Sequence, residues 1–222
     1  TFWQFRPYVD GESLSRIDWR RSARDDQLYV RDREWEAAHT IWLWADQSPS
    51  MLYKSDIALV SKESRGLVLM LALAEILARS GERVGCPGVM EPVSSRNAAE
   101  RLALALAHAP AQTTLPDLGR IGRMSDVVLI GDFLDADETL ETCIGPAARR
   151  GIHGHIIEVS DPSEENFPYS GRTEFRDPES GQKLVAGRAE TVAADYRQAW
   201  LARRDALSQG VRRIGWSFLS HR

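Results

Sequence analysis

The sequence predicts an α/β fold: a Rossmann-like, three-layer arrangement with a mostly parallel central sheet. Three observations predict it. Short apolar strands alternate with longer helical patterns through most of the 222 residues, as parallel strands joined by crossover helices require. Two strands, Ile41-Trp42-Leu43-Trp44-Ala45 and Val127-Val128-Leu129-Ile130, are apolar without alternation, the mark of strands covered on both faces. Each runs into an aspartate, Asp46 and Asp132, and sheets of this kind bind ligands outside the carboxyl ends of their strands.

The elements follow in order. Residues 1–25 are polar and Arg-rich and read as irregular. Leu28 to Trp35 partly alternates, as an edge strand does. Residues 39–45 form the first buried strand. Residues 60–79 are apolar on much of a helical circumference, so a long buried helix is expected. Arg83 to Val89 is a short, weak strand. Asn97 with Glu100 three residues on has the form of a helix cap, and the helix runs to about His108. Ser125 to Gly131 is a β-branched strand. A helix from about Ala136 to Arg150 is expected to bend or shorten at Gly145-Pro146. His153 to Val159 is a further strand. Glu174 to Val185, with Asp177-Pro178-Glu179-Ser180-Gly181 between its arms, reads as a β-hairpin. Val192, Tyr196, Ala199 and Trp200 mark a last long helix, and residues 212–219 a last strand. The expected organisation is an Arg-rich segment and edge strand over 1–36, packed on the core, and one α/β domain over 37–222 with a hairpin insertion near 172–187.

Composition narrows the function classes. The chain is 43% hydrophobic and 27% charged, ordinary for a globular domain with one sizeable core. Its net charge of -4 argues against a nucleic-acid surface, which carries a basic excess. Two cysteines, Cys86 and Cys143, form no disulfide framework or metal pattern, and Cys143 lies at helical spacing with Leu140, Ile144 and Ala147, as a small buried hydrophobe would. No leader is visible, and the longest apolar run, Leu67 to Ala78, falls short of the ~20 residues of a membrane span. These features give the expectation of a cytoplasmic protein without a span in this stretch. Thr1 at the start and an apolar stretch near the end give the expectation of a fragment of a longer chain.

The chemistry concentrates in Asp46-Gln47-Ser48-Pro49-Ser50. Asp-x-Ser-x-Ser at the end of a strand puts one carboxylate and two hydroxyls on one turn, all hard oxygen donors suited to Mg²⁺. Asp and Ser are also good helix caps, so the turn alone has a structural reading too. Asp132 lies at the same sheet edge and would share an ion with Asp46 if their strands are neighbours.

The chain resembles the von Willebrand factor A-like fold. The metal-ion-dependent adhesion site of that fold uses Asp-x-Ser-x-Ser, a Thr on a second loop and an Asp on a third. The resemblance implies a site of Asp46, Ser48, Ser50, Thr114 and Asp132, with Thr113 as the rival to Thr114. It implies Mg²⁺ or Mn²⁺ as the ion, with a position left for an acidic side chain of a protein partner. A narrower resemblance covers nearly the whole chain. Phe5-Arg6-Pro7-Tyr8-Val9-Asp10-Gly11-Glu12, Arg16-Ile17-Asp18-Trp19-Arg20-Arg21-Ser22-Ala23-Arg24 and Leu28-Tyr29-Val30-Arg31 are similar to the signature of the domain-of-unknown-function 58 family, where this block precedes the Asp-x-Ser-x-Ser motif. That family is bacterial and archaeal and is associated with MoxR-type AAA+ ATPases, which implies work on the assembly or maturation of protein complexes. The chain departs from the family at the second loop, where Gln112-Thr113-Thr114-Leu115-Pro116-Asp117 stands in place of Gly-x-Thr-Asp.

The expectation is a non-enzymatic, metal-dependent protein-binding module. Two other readings stand beside it. The metal site is vestigial and the Arg-rich segment is the interaction surface. Or Asp46 is a phosphatase nucleophile beside a metal, a class that wants a second acid where this chain has Ser48. Arg16, Arg20, Arg21 and Arg24 are interleaved with Asp10, Glu12, Asp18, Asp25 and Asp26, so local ion pairing is expected of them. His153 and His155 alternate on a strand without a third ligand and read as structural. Walker A, His-Glu-x-x-His and Gly-x-Ser-x-Gly patterns do not occur.

Overall fold

The computed structural model describes residues 3–24, 27–33, 38–134 and 137–222. The chain divides into two compact units, Thr1–Ala38 and His39–Arg222.

In the first unit, β1 (Trp3–Pro7) and β2 (Tyr29–Arg33) pair antiparallel in a ribbon of their own, so β2 is not an edge of the central sheet. The expectation of irregular backbone over 1–25 is corrected by β1 and by a short helix, α1 (Trp19–Ser22). Asp18 starts that helix by accepting hydrogen bonds from the backbone N–H groups of Arg20 and Arg21, the ordinary work of an Asp cap. Trp35 and the acids Asp25 and Asp26 lie outside the described residues.

The second unit is mixed α/β, with helices on both sides of a six-stranded sheet. Its strands are β3 (Thr40–Ala45), β4 (Arg83–Cys86), β5 (Met90–Val93), β6 (Ser125–Gly131), β7 (His153–Val159) and β10 (Ser217–His221). They stand in the order β10-β7-β6-β3-β4-β5, all parallel except β5 against β4. A separate hairpin, β8 (Thr173–Arg176) and β9 (Lys183–Ala186), pairs antiparallel.

The helices are α2 (Lys62–Arg79), α3 (Ala98–His108), α4 (Asp137–Arg149), α5 (Pro162–Asn166) and α6 (Ala193–Arg213). One face of the sheet gives Ile41, Leu43, Val84, Val128 and Ile130 to a core with Met70, Ala74 and Ala78 of α2 and Ala98 and Leu102 of α3. The other face gives Trp44, Val127, Leu129 and Ile156 to a core with Ile144 and Ala147 of α4 and Leu207 and Val211 of α6. Both faces of β3 and β6 are thus covered, which explains their uninterrupted apolar runs.

Helix α2 shows how sequence sets packing. Ser61 caps it by accepting from the Ser64 N–H, and Glu63 and Arg79 lie at the ends that the helix dipole favours. Its buried residues are Lys62, Gly66, Met70, Ala74 and Ala78, one every four positions, which is a single stripe along the helix. Small residues in that stripe bring the helix close to the sheet. The place where Gly66 lacks a side chain faces Met51 and Ile130 at 3.5 and 3.6 Å.

Several elements differ from the sequence reading. β5 was not expected, because Pro92 disfavours a strand; at the sheet edge its missing N–H costs little. α5 was also unexpected; it is one turn fixed by a capping box between Asp161 and Glu164. The last strand begins at Ser217, not 212, because α6 continues to Arg213. Pro146 sits inside α4, which nevertheless runs to Arg149. Asn97 precedes α3, but its side chain makes no capping bond.

Candidate functional site

The site lies where the strand order reverses. From β3 the chain builds β4 and β5 on one side, then returns to place β6 on the other. The crevice at such a switch point is where open α/β sheets bind ligands. Ala45, the last residue of β3, pairs with Ile130, so the carboxylates that follow, Asp46 and Asp132, leave neighbouring strands at one edge.

The turn after β3 is held from three sides. Asp46 N–H donates to the Ile130 carbonyl at 2.8 Å, and the Asp46 carboxylate accepts from the Ser48 N–H at 2.8 Å. Gln47 and Gln112 lock the second loop onto the turn: Gln47 N–H donates to the Gln112 carbonyl (2.8 Å), and Gln112 N–H donates to the Gln47 side-chain oxygen (3.0 Å). Gly131 makes room for Asp46, since a Cβ there would stand 2.9 Å from the Asp46 Cβ. Pro49 opens a 3-10 turn, Pro49–Leu52, that buries Ser50.

Asp46, Ser48, Ser50, Thr113, Thr114 and Asp132 all line one cavity of about 210 Å³, with Trp44, Leu115, Phe133, Leu134 and Glu179. All five residues named from the sequence are therefore gathered there, and the two threonines both reach it. Ser48 and Ser50 are buried and their hydroxyl oxygens lie 3.1 Å apart. Neighbouring oxygens on an octahedral Mg²⁺, each about 2.1 Å from the ion, are about 3 Å from one another. The two hydroxyls share a hydrogen bond at that distance, and the same spacing is compatible with the ion. The carboxylate fits too: burial pushes Asp46 up to about 6, Ser48's hydrogen bonds oppose this, and Asp132 and Glu179 add to it. A cation would relieve that cost. Among the described residues, no three His, Cys, Asp or Glu side chains gather as a metal cluster, and a cation held here would take much of its donor set from hydroxyls.

Sequence reasoning missed four residues that shape the site. Lys62, at the N-terminal end of the α2 stripe, places its ammonium 2.8 Å from Asp132 and 2.7 Å from Glu164. Burial alone would lower its pKa, but these two carboxylates outweigh that and raise it. Glu179, at the hairpin tip, accepts from the Ser50 N–H at 2.9 Å. Arg203 of α6 donates to the Asp132 and Phe133 carbonyls at 3.4 and 3.1 Å, and Glu158 of β7 anchors Arg203 at 2.6 Å. Phe133 has φ 50°, a left-handed conformation uncommon outside glycine, and these bonds hold it there. One signal existed in the sequence: Glu158 stands in an apolar strand, where a carboxylate must be paired.

The Arg-rich segment differs from its expectation. Arg6 pairs with Glu12, but among the described residues Arg20, Arg21 and Arg24 form no ion pair with an acid. Arg21 instead lies over the Phe5 and Tyr29 rings, at 4.6 and 5.2 Å from their centroids. Phe5, Asp18, Arg20, Arg21, Arg24 and Tyr29 line a cavity of about 480 Å³ within this unit. His155 bonds to Ser217 and His153 lies beside Asp126, both on the exposed surface.

Among curated proteins, the chain is similar to an uncharacterized protein of Mycobacterium tuberculosis (strain H37Rv) and to another of Mycobacterium bovis. Each is 28% identical over 240 residues, covering 98% of this chain and 73% of the relative. Among solved structures it is similar to the conserved hypothetical protein BatB of Bacteroides thetaiotaomicron, at 16% identity and TM-score 0.43, covering 81% of this chain and 99% of the other. It is also similar to an aerotolerance-related membrane protein of Bacteroides fragilis, at 14% identity and TM-score 0.43, covering 83% and 92%. A third likeness, at 13% identity and TM-score 0.23, is to an uncharacterized membrane spanning protein of Vibrio fischeri, covering 83% and 91%. The expectation of a cytoplasmic location is corrected here: two of these similar structures are of proteins described as membrane proteins, so that location is withdrawn and no other is assigned. None of the described helices is long and apolar enough to cross a membrane. The family model described as "Protein of unknown function DUF58" matches residues 4–206, and the chain belongs to that family.

Proposed function

We propose that this chain is a non-enzymatic protein-binding module of von Willebrand factor A-like type that works through a divalent cation, Mg²⁺ or Mn²⁺. Asp46, Ser48, Ser50, Thr114 and Asp132 would hold the ion, with Thr113 the alternative to Thr114. The observation that carries the reading is the pair of buried hydroxyls, 3.1 Å apart, between two carboxylates in one cavity. Lys62 already neutralises Asp132, so the ion would meet little net negative charge and stay electrophilic. Such an ion accepts a carboxylate from a partner. A MoxR-type AAA+ ATPase, or a protein it acts on, is the partner that the family resemblance implies.

Calorimetric titration of Mg²⁺ into the wild type and Asp46→Ala tests the site. Heat of binding in the wild type alone is expected; identical traces would remove the cation from the account. A pull-down with the cognate MoxR-type ATPase should retain it in Mg²⁺ and lose it in EDTA.

Lys62 also favours a second reading. Its ammonium is a built-in cation on Asp132, so the module could bind partners without a metal, through Arg20, Arg21 and Arg24. Retention of the ATPase in EDTA, abolished by Arg20→Ala with Arg24→Ala, would select it.

A further inference from the structure

We propose that Glu179 is a direct ligand of the same cation beside Asp46, Ser48 and Ser50, delivered in cis by the β8–β9 hairpin, while Asp132, whose oxygens are taken by Lys62 and the Leu134 N–H, acts through water, so that loading the ion pins the hairpin onto the site. This rests on the cation reading and adds to it a residue that neither the Asp-x-Ser-x-Ser pattern nor the loop threonine and aspartate includes.

Three observations carry it. First, Glu179 lines the cavity with Asp46, Ser48, Ser50 and Asp132, although it lies 129 residues from Ser50 in sequence. Second, only one of its oxygens is engaged. Oε1 accepts from the Ser50 N–H at 2.9 Å, and Oε2 makes no hydrogen bond among the described residues. A carboxylate gripped by one oxygen beside two hydroxyls and an aspartate has the other available to a hard cation. Third, the turn is built to present this residue. Asp177 accepts from the N–H groups of Glu179 and Ser180, which fixes the tip, and Gly181 takes the positive φ of 71° that closes it.

The rest of the hairpin is poorly held. Lys183, Leu184 and Val185 are exposed, and so are Glu174 and Arg176. Phe175, midway along β8, stacks on Phe167 at 5.7 Å and meets Tyr169 edge-on at 5.3 Å, which anchors the arm. Glu179 adds a hold at the tip. An arm anchored through one ring and bound at its tip by one carboxylate should tighten when that carboxylate gains a cation.

The test compares the wild type, Glu179→Ala and Asp46→Ala, with Mn²⁺ as the probe. Electron paramagnetic resonance of free Mn²⁺ gives affinity, and trypsin cleavage after Arg176 and Lys183 reports the hairpin. Mn²⁺ is expected to slow cleavage of the wild type but not of Glu179→Ala. Glu179→Ala should weaken Mn²⁺ binding about tenfold or more, the scale on which ligand count and supporting groups act. If Asp46→Ala abolishes Mn²⁺ binding while Glu179→Ala matches the wild type in affinity and cleavage, this inference fails and the cation site stands. If the wild type binds no Mn²⁺, both fail together.

Discussion

Asp46 shows what a single half-buried carboxylate does to a fold. Its pKa rises from 3.8 to about 6, with burial the largest cause. Between those values the folded chain binds more protons than the unfolded one, so stability falls as pH rises through that window and stays lower above it. Asp46→Asn should therefore melt higher than the wild type at pH 7.5 without divalent ions, and the gap should close by pH 4; calorimetric scans at both pH values decide it. The same linkage makes a cation compete with a proton, so Mg²⁺ binding should strengthen from pH 5 to 7. Lys62 gives the opposite lesson. Both Lys62 and Asp132 are buried, and removing one member of such a pair leaves the other charge stranded. Lys62→Met should cost about 3–5 kcal/mol by urea denaturation, and adding Asp132→Asn should recover part of it. The sequence shows Asp46 plainly, because its motif is local. It hides Lys62 and Glu179, because their contacts close over 70 and 129 residues and no local pattern announces them.

Among the elements, β3 and β6 were legible because burial on both faces leaves long apolar runs. The edges were not. β5 carries a proline that only an edge strand tolerates, and β1 is five residues long and ends in a proline. β7 also carries a demand that sequence alone cannot voice. Gly154 lies beneath the Trp216 ring, and a Cβ there would fall 2.1 Å from it. Trp216 has no easy retreat, since it is buried and donates to the Ile152 carbonyl at 3.1 Å. Gly154→Ala should thus destabilise β7 and β10 together, by about 1–3 kcal/mol or more as overpacked cores do. Gly145→Ala is the control. It lies inside α4, its nearest obstacle is the flexible end of Arg149 at 3.5 Å, and alanine there should stabilise by up to about 1 kcal/mol. Chemical denaturation of both variants separates a packing glycine from a merely permissive one.

Across the whole molecule, the alternation of strands and helices was enough to anticipate the second unit and the edge where its loops meet. It could not anticipate the ribbon of the first unit, whose pairing joins a strand with partial alternation to a segment that reads as irregular. Ligand binding at the switch point should be felt by the entire second unit, because a ligand that binds only the folded state stabilises it by mass action. At 100 times its dissociation constant, Mg²⁺ would add about 2.7 kcal/mol, and melting should rise by several degrees in the wild type and not in Asp46→Ala.

The hairpin carries a consequence for any partner. A carboxylate tethered to the same chain competes at an effective concentration that a short connection sets in the millimolar range. Acids free in solution at lower concentration than that would seldom unseat Glu179. A partner would need either further contacts beyond its own carboxylate or a way to pull on the arm between Thr173 and Ala186. The exposed strands β8 and β9 then become a threshold device: they decide how strong an acidic partner must be before the ion answers to it.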